Sequence, residues 1–331
     1  MSDLTVIMPV YNEELFLEEA IESILNQTFS DFKLVIINDN STDGTEKIIK
    51  RFKERDPRIE YRKNKTNLGP AKSRNLAIDD ANTEFIAFMD ADDKAVSTRF
   101  EIQLKFLKSH PEIGVCGSWS TFFGEKNKVL SNNITHDEIK VGFLSHCAVH
   151  NPTVMLRRSC LGNLRYDENM VVTEDYSLFS QLISTTKFHN IPESLMFYRW
   201  HANNISKTLK DRRASFEFKI RTKQLENLGI DPKDPKIDNY VSAIVLNRKQ
   251  STEAIRNTVK CAHLLKTVNK ERKYFDQKLF TEHVDTIIIR TIRNAKSYDR
   301  AFYRFLKNES GYFSKIPKLD LTILFFKSYF K

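Results

Sequence analysis

The 331-residue sequence predicts an α/β fold: a mainly parallel central sheet followed by a basic, helical C-terminal region. Two observations carry that prediction. Through the first ninety residues, short apolar runs alternate with longer amphipathic stretches, the pattern of successive βαβ units. Charge then divides along the chain: residues 1–201 hold 24 Lys and Arg against 29 Asp and Glu, a net of −5, whereas residues 202–331 hold 28 against 14, a net of +14.

Val6 to Val10 reads as a first strand and Glu13 to Asn26 as a helix with Leu15, Ala20 and Ile24 facing inward. Leu34 to Ile37 is a second strand. Thr42 to Lys53 is a helix opened by hydroxyl and acidic residues suited to capping. Ile59 to Tyr61 is a weaker strand, and Pro70 to Asp80 is a helix with proline where a missing N–H costs little. Glu84 to Met89 is a fourth strand, Arg99 to Ser109 a helix and Ile113 to Gly117 a strand. Ser120 to Asn133 is irregular, as in a hairpin or mobile loop. Helix patterns return at Asp137 to Leu144 and Asp175 to Ile183 and dominate from Asp211 onward, broken at Asp231 to Pro235, a candidate hinge. The expected domains are 1–210 and 211–331.

Size alone predicts two unequal parts, because single cores rarely grow beyond about 250 to 300 residues. Cys116, Cys147, Cys160 and Cys261 lie far apart, which argues against a disulfide framework or a zinc finger. No charged-then-apolar leader opens the sequence, and no apolar run approaches the roughly 18 residues of a membrane span. A cytoplasmic protein is therefore expected.

Four constellations carry candidate chemistry. Pro9-Val10-Tyr11-Asn12-Glu13 lies where a strand gives way to a helix, the position at which open α/β sheets bind ligands. Asn38 to Gly44 clusters short polar groups at the end of the next strand; capping explains Thr42 or Asp43 but explains Asp39 less well. Asp90-Ala91-Asp92-Asp93 crowds carboxylates at the mouth of a buried strand, where a hard divalent cation is the simplest way to stabilise them. A solvated acidic turn is the competing reading. Glu174-Asp175 opens a helix whose dipole favours negative charge: one member serves as a cap, and the other is free to act as a general base.

Together these features resemble the signature of the family 2 glycosyltransferases, of inverting GT-A type, over roughly residues 4 to 210. Asn67-Leu-Gly69-Pro-Ala-Lys-Ser-Arg74-Asn75 is similar to the family's N-x-G-x-x-x-A-R-N stretch, with Ser73 in place of alanine. Asn40 stands where glycine or serine is common. Tyr198-Arg199-Trp200-His201, continuing to Ser206, is similar to the family's late R-x-H-x-x-x-x-S segment.

The resemblance implies that Pro9, Val10, Tyr11 and Glu13 line a nucleoside pocket and that Asp39 bonds the uracil ring. Asn67, Gly69, Arg74, Asp90, Ala91 and Arg199 complete the nucleotide-sugar site, with Arg74 by the nucleotide, Asp90 at the ribose and Arg199 near the diphosphate. Asp92 binds Mn2+ or Mg2+, with His201 assisting, and Asp175 is the catalytic base. The implied reaction transfers one sugar from a UDP-sugar to a glycan or lipid-linked acceptor in bacterial surface glycan synthesis, such as lipopolysaccharide. The absence of the Q-x-x-R-W motif of processive relatives agrees with addition of single sugars.

A noncatalytic sugar-nucleotide binding or scaffold protein is the main rival reading. A nucleic-acid partner is not expected, because the basic residues of the tail are dispersed and form no recognised reading motif. The segment Phe313 to Lys331 mixes bulky apolar residues with lysines, which predicts docking at the inner face of the cytoplasmic membrane; packing on the helical tail or a homo-oligomer contact is the alternative.

Overall fold

The computed structural model describes residues 3–125, 127–200, 210–245 and 249–329. It divides into two compact units, one of residues 1–142 and 146–213, the other of residues 143–145 and 214–331.

The first unit is built on one sheet. Strands β1 (Leu4–Val10), β2 (Phe32–Asn38), β3 (Ile59–Lys63) and β4 (Phe85–Phe88) pair in parallel in the order β3-β2-β1-β4. Every residue of β4 and all but Pro9 of β1 are buried, the near-continuous apolar pattern of strands covered on both faces. Helices α1 (Leu17–Leu25), α2 (Thr45–Arg55) and α3 (Pro70–Asp80) supply the crossovers, and α4 (Arg99–Ser109) follows β4 after the two-residue strand β5 (Lys94–Ala95). Because β2 and β4 flank β1 on opposite sides, the chain direction across the sheet reverses at β1. The carboxyl ends of these strands therefore form the crevice in which such sheets bind ligands.

Beyond β4 the sheet becomes mixed. β6 (Ile113–Gly124) turns into β7 (Lys128–Leu130), so the irregular stretch is a hairpin. Helix α5 (His136–Gly142) precedes β8 (Met155–Arg157), which pairs antiparallel with both β4 and β6. After α6 (Arg158–Leu161) and α7 (Glu174–Leu182), the long β9 (Lys187–Trp200) runs parallel to β6 and closes on β5. Arg99 is buried here, donating to the Phe88 and Val154 carbonyls and to Gln103, so it ties β4 to the strand beside it.

The second unit is helical: α8 (Lys210–Asn227), α9 (Pro235–Val245), α10 (Thr252–Arg272), α11 (Gln277–Arg293), α12 (Arg300–Asn308) and α13 (Lys318–Tyr329). Ser251, Asp276 and Asp299 cap α10, α11 and α12, each accepting from the backbone N–H three residues on. The core draws on Tyr240, Val241, Leu265, Phe280, Val284 and Ile288. Residues 231–235 link α8 to α9 within this unit, so the candidate hinge is a helix connection, with Pro235 at the first helical position. No helix among the described residues is long and apolar enough to cross a membrane.

Leu15 is a further correction. It lies outside α1 and is 79% exposed, because Glu13 and Glu14 donate their N–H groups to the Thr45 and Asp43 side chains and the helix starts only at Leu17.

Candidate active site

The loops after β1 and β2 are knitted together before any ligand is considered. Asn12 has positive φ, donates its N–H to the Ser41 hydroxyl at 3.0 Å and accepts from the Thr42 N–H at 2.8 Å. Asn40 also has positive φ, a conformation asparagine tolerates better than most residues, so its presence at a glycine-like position is unstrained. Tyr11 is left 47% exposed at the crevice, above buried Val10 and half-buried Pro9.

Asp39 is buried at the end of β2. It accepts from Asn64 Nδ2 at 2.7 Å and from the backbone N–H groups of Leu68 and Gly69 at 2.8 and 2.7 Å. Gly69 holds φ near 84°, which glycine adopts without penalty, and this turns its N–H onto the carboxylate; the Asn67 side chain accepts from the same N–H. Asp39 is thereby the anchor of the turn into α3.

At the end of β4, Ala91 is buried between Asp90 and Asp92, which are half-buried, while Asp93 is fully buried. One Asp93 oxygen accepts from the Arg199 N–H at 2.8 Å; its Oδ2 has no hydrogen-bond partner among the described residues. Arg199 also donates its Nε to the Asp92 carbonyl at 2.8 Å and pairs with Glu19, its guanidinium lying over the Phe16 and Phe123 rings. Glu13 completes the acidic wall. Burial, with Asp92, Asp43 and Asp90 nearby, raises its carboxyl to about 8.

Arg74 of α3 crosses from this wall to the acidic pair at the start of α7. Its Nη2 meets Asp90 Oδ1 at 2.8 Å, its Nη1 meets Glu174 Oε1 at 3.0 Å, and its guanidinium lies over the Tyr166 ring. The arginine side chain is 6% exposed. Burial opposes its charge, but Asp90, Tyr166 and Glu174 outweigh burial and raise its proton affinity.

Asp175 is half-buried beside Glu174 and accepts from the N–H of its neighbour Tyr176 at 2.7 Å. Burial first, then Glu174, pushes its carboxyl up to about 7. His150 stands against Tyr198, with ring centroids 4.7 Å apart, and burial lowers its imidazole to about 4. Tyr198 is itself raised by burial and by Asp93, Asp92, Asp90 and Asp175.

The structure thus gathers Glu13, Arg74, Asp90, Asp92, Arg199 and Asp175 around the strand ends. Asp93 and Glu174, which the sequence placed in its acidic clusters without giving either a role of its own, join them, as does Tyr166, for which the sequence carried no signal. His201 and Ser206 lie outside the described residues.

Among the described residues, no group of three or more His, Cys, Asp or Glu side chains is arranged to hold a metal ion. That arrangement still suits a hard cation of the Mg2+ type, which takes one or two protein carboxylates and completes its shell with substrate phosphates and water. Burial and the carboxylates of Asp92, Asp43 and Asp90 raise the proton affinity of Glu13 although Arg199 lowers it, so negative charge gathers beside Asp92 even with Asp90 paired to Arg74.

Comparison with known proteins places this architecture. The model of the glycosyl transferase family 2 matches residues 5–164. An uncharacterised glycosyltransferase of Methanocaldococcus jannaschii is 38% identical over 204 residues, 59% of this chain and 70% of the relative. WfaP of Escherichia coli, a UDP-Glc:α-D-GlcNAc-diphosphoundecaprenol β-1,3-glucosyltransferase, is 32% identical over 62% of this chain and 80% of its own. The minor teichoic acid biosynthesis protein GgaB of Bacillus subtilis is 28% identical over 97% of this chain, which spans only 39% of GgaB.

Among solved structures, Staphylococcus aureus TarS 1–349 with UDP-GlcNAc superposes with a TM-score of 0.60 at 16% identity, covering 99% of this chain and 93% of that one. The mannosyltransferase PcManGT of Pyrobaculum calidifontis, with GDP-Man and Mn2+, gives a TM-score of 0.54 at 17% identity, covering 88% of this chain and 87% of that one. The chain is a family 2 glycosyltransferase with a GT-A fold and an appended helical region.

Proposed function

We propose that this glycosyltransferase moves a single sugar from a UDP-sugar to an acceptor hydroxyl, with inversion, in bacterial cell-surface glycan synthesis. The observation that carries the reading is Asp175, a half-buried carboxyl pushed up to about 7 and linked through the adjacent Glu174 and Arg74 to the acidic wall at the end of β4. A general base poised near the working pH combines the right protonation state with proton affinity. WfaP uses UDP-Glc by name, and TarS was solved with UDP-GlcNAc, which favours a UDP-linked hexose or N-acetylhexosamine.

In this reading Tyr11, Val10 and Pro9 form one wall for the nucleoside and Asp39 holds the opposite turn. Asp90 faces the ribose, and Asp92 would hold Mn2+ or Mg2+, a cation that supplies positive charge against the departing diphosphate. Asp175 takes the proton of the acceptor hydroxyl as its oxygen bonds to the anomeric carbon. The bond from that carbon to the diphosphate oxygen breaks in the same displacement, and its electron pair leaves with UDP. Attack opposite the leaving group inverts the anomeric configuration.

A lipid-linked acceptor agrees with the C-terminal helix. On α13, Leu319, Ile323 and Phe326 are 73%, 43% and 56% exposed at helical spacing, with Lys318 and Lys327 at either end. We assign this face to the cytoplasmic surface of the membrane, where apolar burial and lysine attraction to anionic lipid act together. Cosedimentation with anionic liposomes tests it: full-length protein pellets and a form lacking residues 313–331 does not, whereas equal pelleting ends the membrane assignment.

Donor and metal are tested together by measuring UDP release from UDP-Glc and UDP-GlcNAc with Mn2+, Mg2+ or EDTA. Release that depends on metal and is lost in Asp92→Ala supports the reading; release indifferent to EDTA contradicts it.

A further inference from the structure

Asp175 does not stand alone in its pocket, and the groups around it are linked by one cation. Arg74 spans from Asp90 at the end of β4 to Glu174 at the start of α7, with both bonds at 3.0 Å or less. The side chains of Arg74 and Glu174 are 6% and 12% exposed, so water screens this linkage poorly. Glu174 directly precedes Asp175 in the first turn of α7, so the acid that Arg74 holds is covalently adjacent to the base.

The geometry points to Arg74 and Glu174 as positioning residues that act on Asp175 as one device. Glu174 raises the proton affinity of the base, and Arg74 limits how far that rise goes while tying the base side of the site to the donor side at Asp90. This inference rests on the reading of Asp175 as the general base.

Electrostatics gives the two residues opposite signs. Burial and the negative charge of Glu174 favour the protonated form of Asp175; the Tyr176 N–H and the Arg74 guanidinium favour the ionised form, and Asp90 adds a further upward push. Tyr166, Tyr198 and Cys147 are the other titratable groups that feel Asp175 among the described residues, and burial raises all three, so they stay neutral near pH 7. Burial comes first in the balance at Asp175, and Glu174, Arg74 and Asp90 are the charged neighbours that adjust it, while Arg213 acts on Cys147. Tyr166 holds the cation in place, its ring under the guanidinium and its hydroxyl donating to Asn151 at 2.9 Å.

If Arg74 served only to pack α3 against its neighbours, neutral variants at Arg74 and Glu174 would loosen the site alike and move Asp175 in no consistent direction. As a charge device they must move it oppositely. Glu174→Gln removes an anion and lowers the proton affinity of Asp175. Arg74→Met removes the cation and raises it.

The test is a carboxyl-carbon NMR titration of the full-length protein labelled at aspartate, with the Asp175 resonance assigned by its loss in Asp175→Asn. In Glu174→Gln the midpoint is expected to fall by about one pH unit, a tenfold change in proton affinity, and in Arg74→Met to rise by about as much, with Arg74→Lys between Arg74→Met and wild type. Shifts in the same direction, or both midpoints within about 0.3 unit of wild type, would overturn the proposal. Should Arg74→Met fail to fold by near-UV circular dichroism, Glu174→Gln decides alone, and an unmoved midpoint overturns it. The titration needs no donor or acceptor. A wrong choice of base would appear instead as wild-type UDP release in Asp175→Asn, with the opposed midpoint shifts intact.

Discussion

The crevice of the first unit and the helices of the second handle charge in opposite ways. Around the crevice, Glu13, Asp93 and Asp175 are carboxyl groups raised by burial and by neighbouring carboxylates, Asp92 and Asp90 for Glu13 and Asp93, and Glu174 and Asp90 for Asp175. In the helical unit the half-buried Asp285 is lowered, because Lys266 and Lys315 both donate to it and outweigh its burial. Ion pairs arranged for stability neutralise one another, whereas a site that must receive a proton or a cation keeps negative charge unmatched. In the crevice two buried or half-buried arginines are shared among more carboxylates than they can neutralise, whereas Asp285 has two lysines to itself.

The sharpest way to break that contrast is to remove an unmatched charge. Asp175→Asn should lower sugar transfer by about 10²- to 10⁴-fold, the usual contribution of general-base catalysis, while UDP binding measured by calorimetry stays close to wild type. Loss of UDP affinity in the same variant would make Asp175 a binding residue instead. Asp92→Ala should abolish metal dependence and with it most turnover, checked by titrating Mn2+ against UDP release.

A smaller effect concerns stability and follows from the sign of the shift at Asp175. The unfolded carboxyl ionises near the ordinary aspartate value of 3.8, whereas the folded one keeps its proton up to about 7. Between those values the folded chain binds more protons, so stability falls as pH rises through that window and the full cost is present above it. Asp175→Asn should therefore melt about 2 to 6 °C above wild type at pH 8 and at about the same temperature at pH 4, measured by differential scanning fluorimetry. In the helical unit, Asp285→Asn should do the reverse and melt below wild type at pH 7, because it breaks a matched group. The smallest expected change is Phe326→Ser, which should leave the melting temperature within about 1 °C and weaken liposome binding only.

The same contrast explains what was legible in the sequence. Strands β1, β2 and β4 stood out because buried parallel strands are almost uniformly apolar, and helix α3 because Pro70 marks its first turn. β9 did not: Asn190, Pro192 and Glu193 interrupt its alternation, and its pairing with β6 is broken by register shifts near Trp119, so no period of two survives. β8 is only three residues long. Among the site residues, the acidic run from Asp90 to Asp93 and the pair Glu174-Asp175 announced themselves by composition. The bridge through Arg74 could not, since it joins residues 16 and 100 positions away and nothing in the sequence says which acids a given arginine will meet.

In the proposed reaction Asp175 is the base of metal-dependent transfer from a UDP-sugar. The most direct test measures UDP release from UDP-Glc and UDP-GlcNAc with Mn2+ across pH 5 to 9, in wild type and Asp175→Asn. Metal-dependent release that rises through an acid limb near pH 7 in wild type and is lost in the variant is the predicted result. Equal release by both proteins, at every pH and for whichever donor turns over, would contradict it.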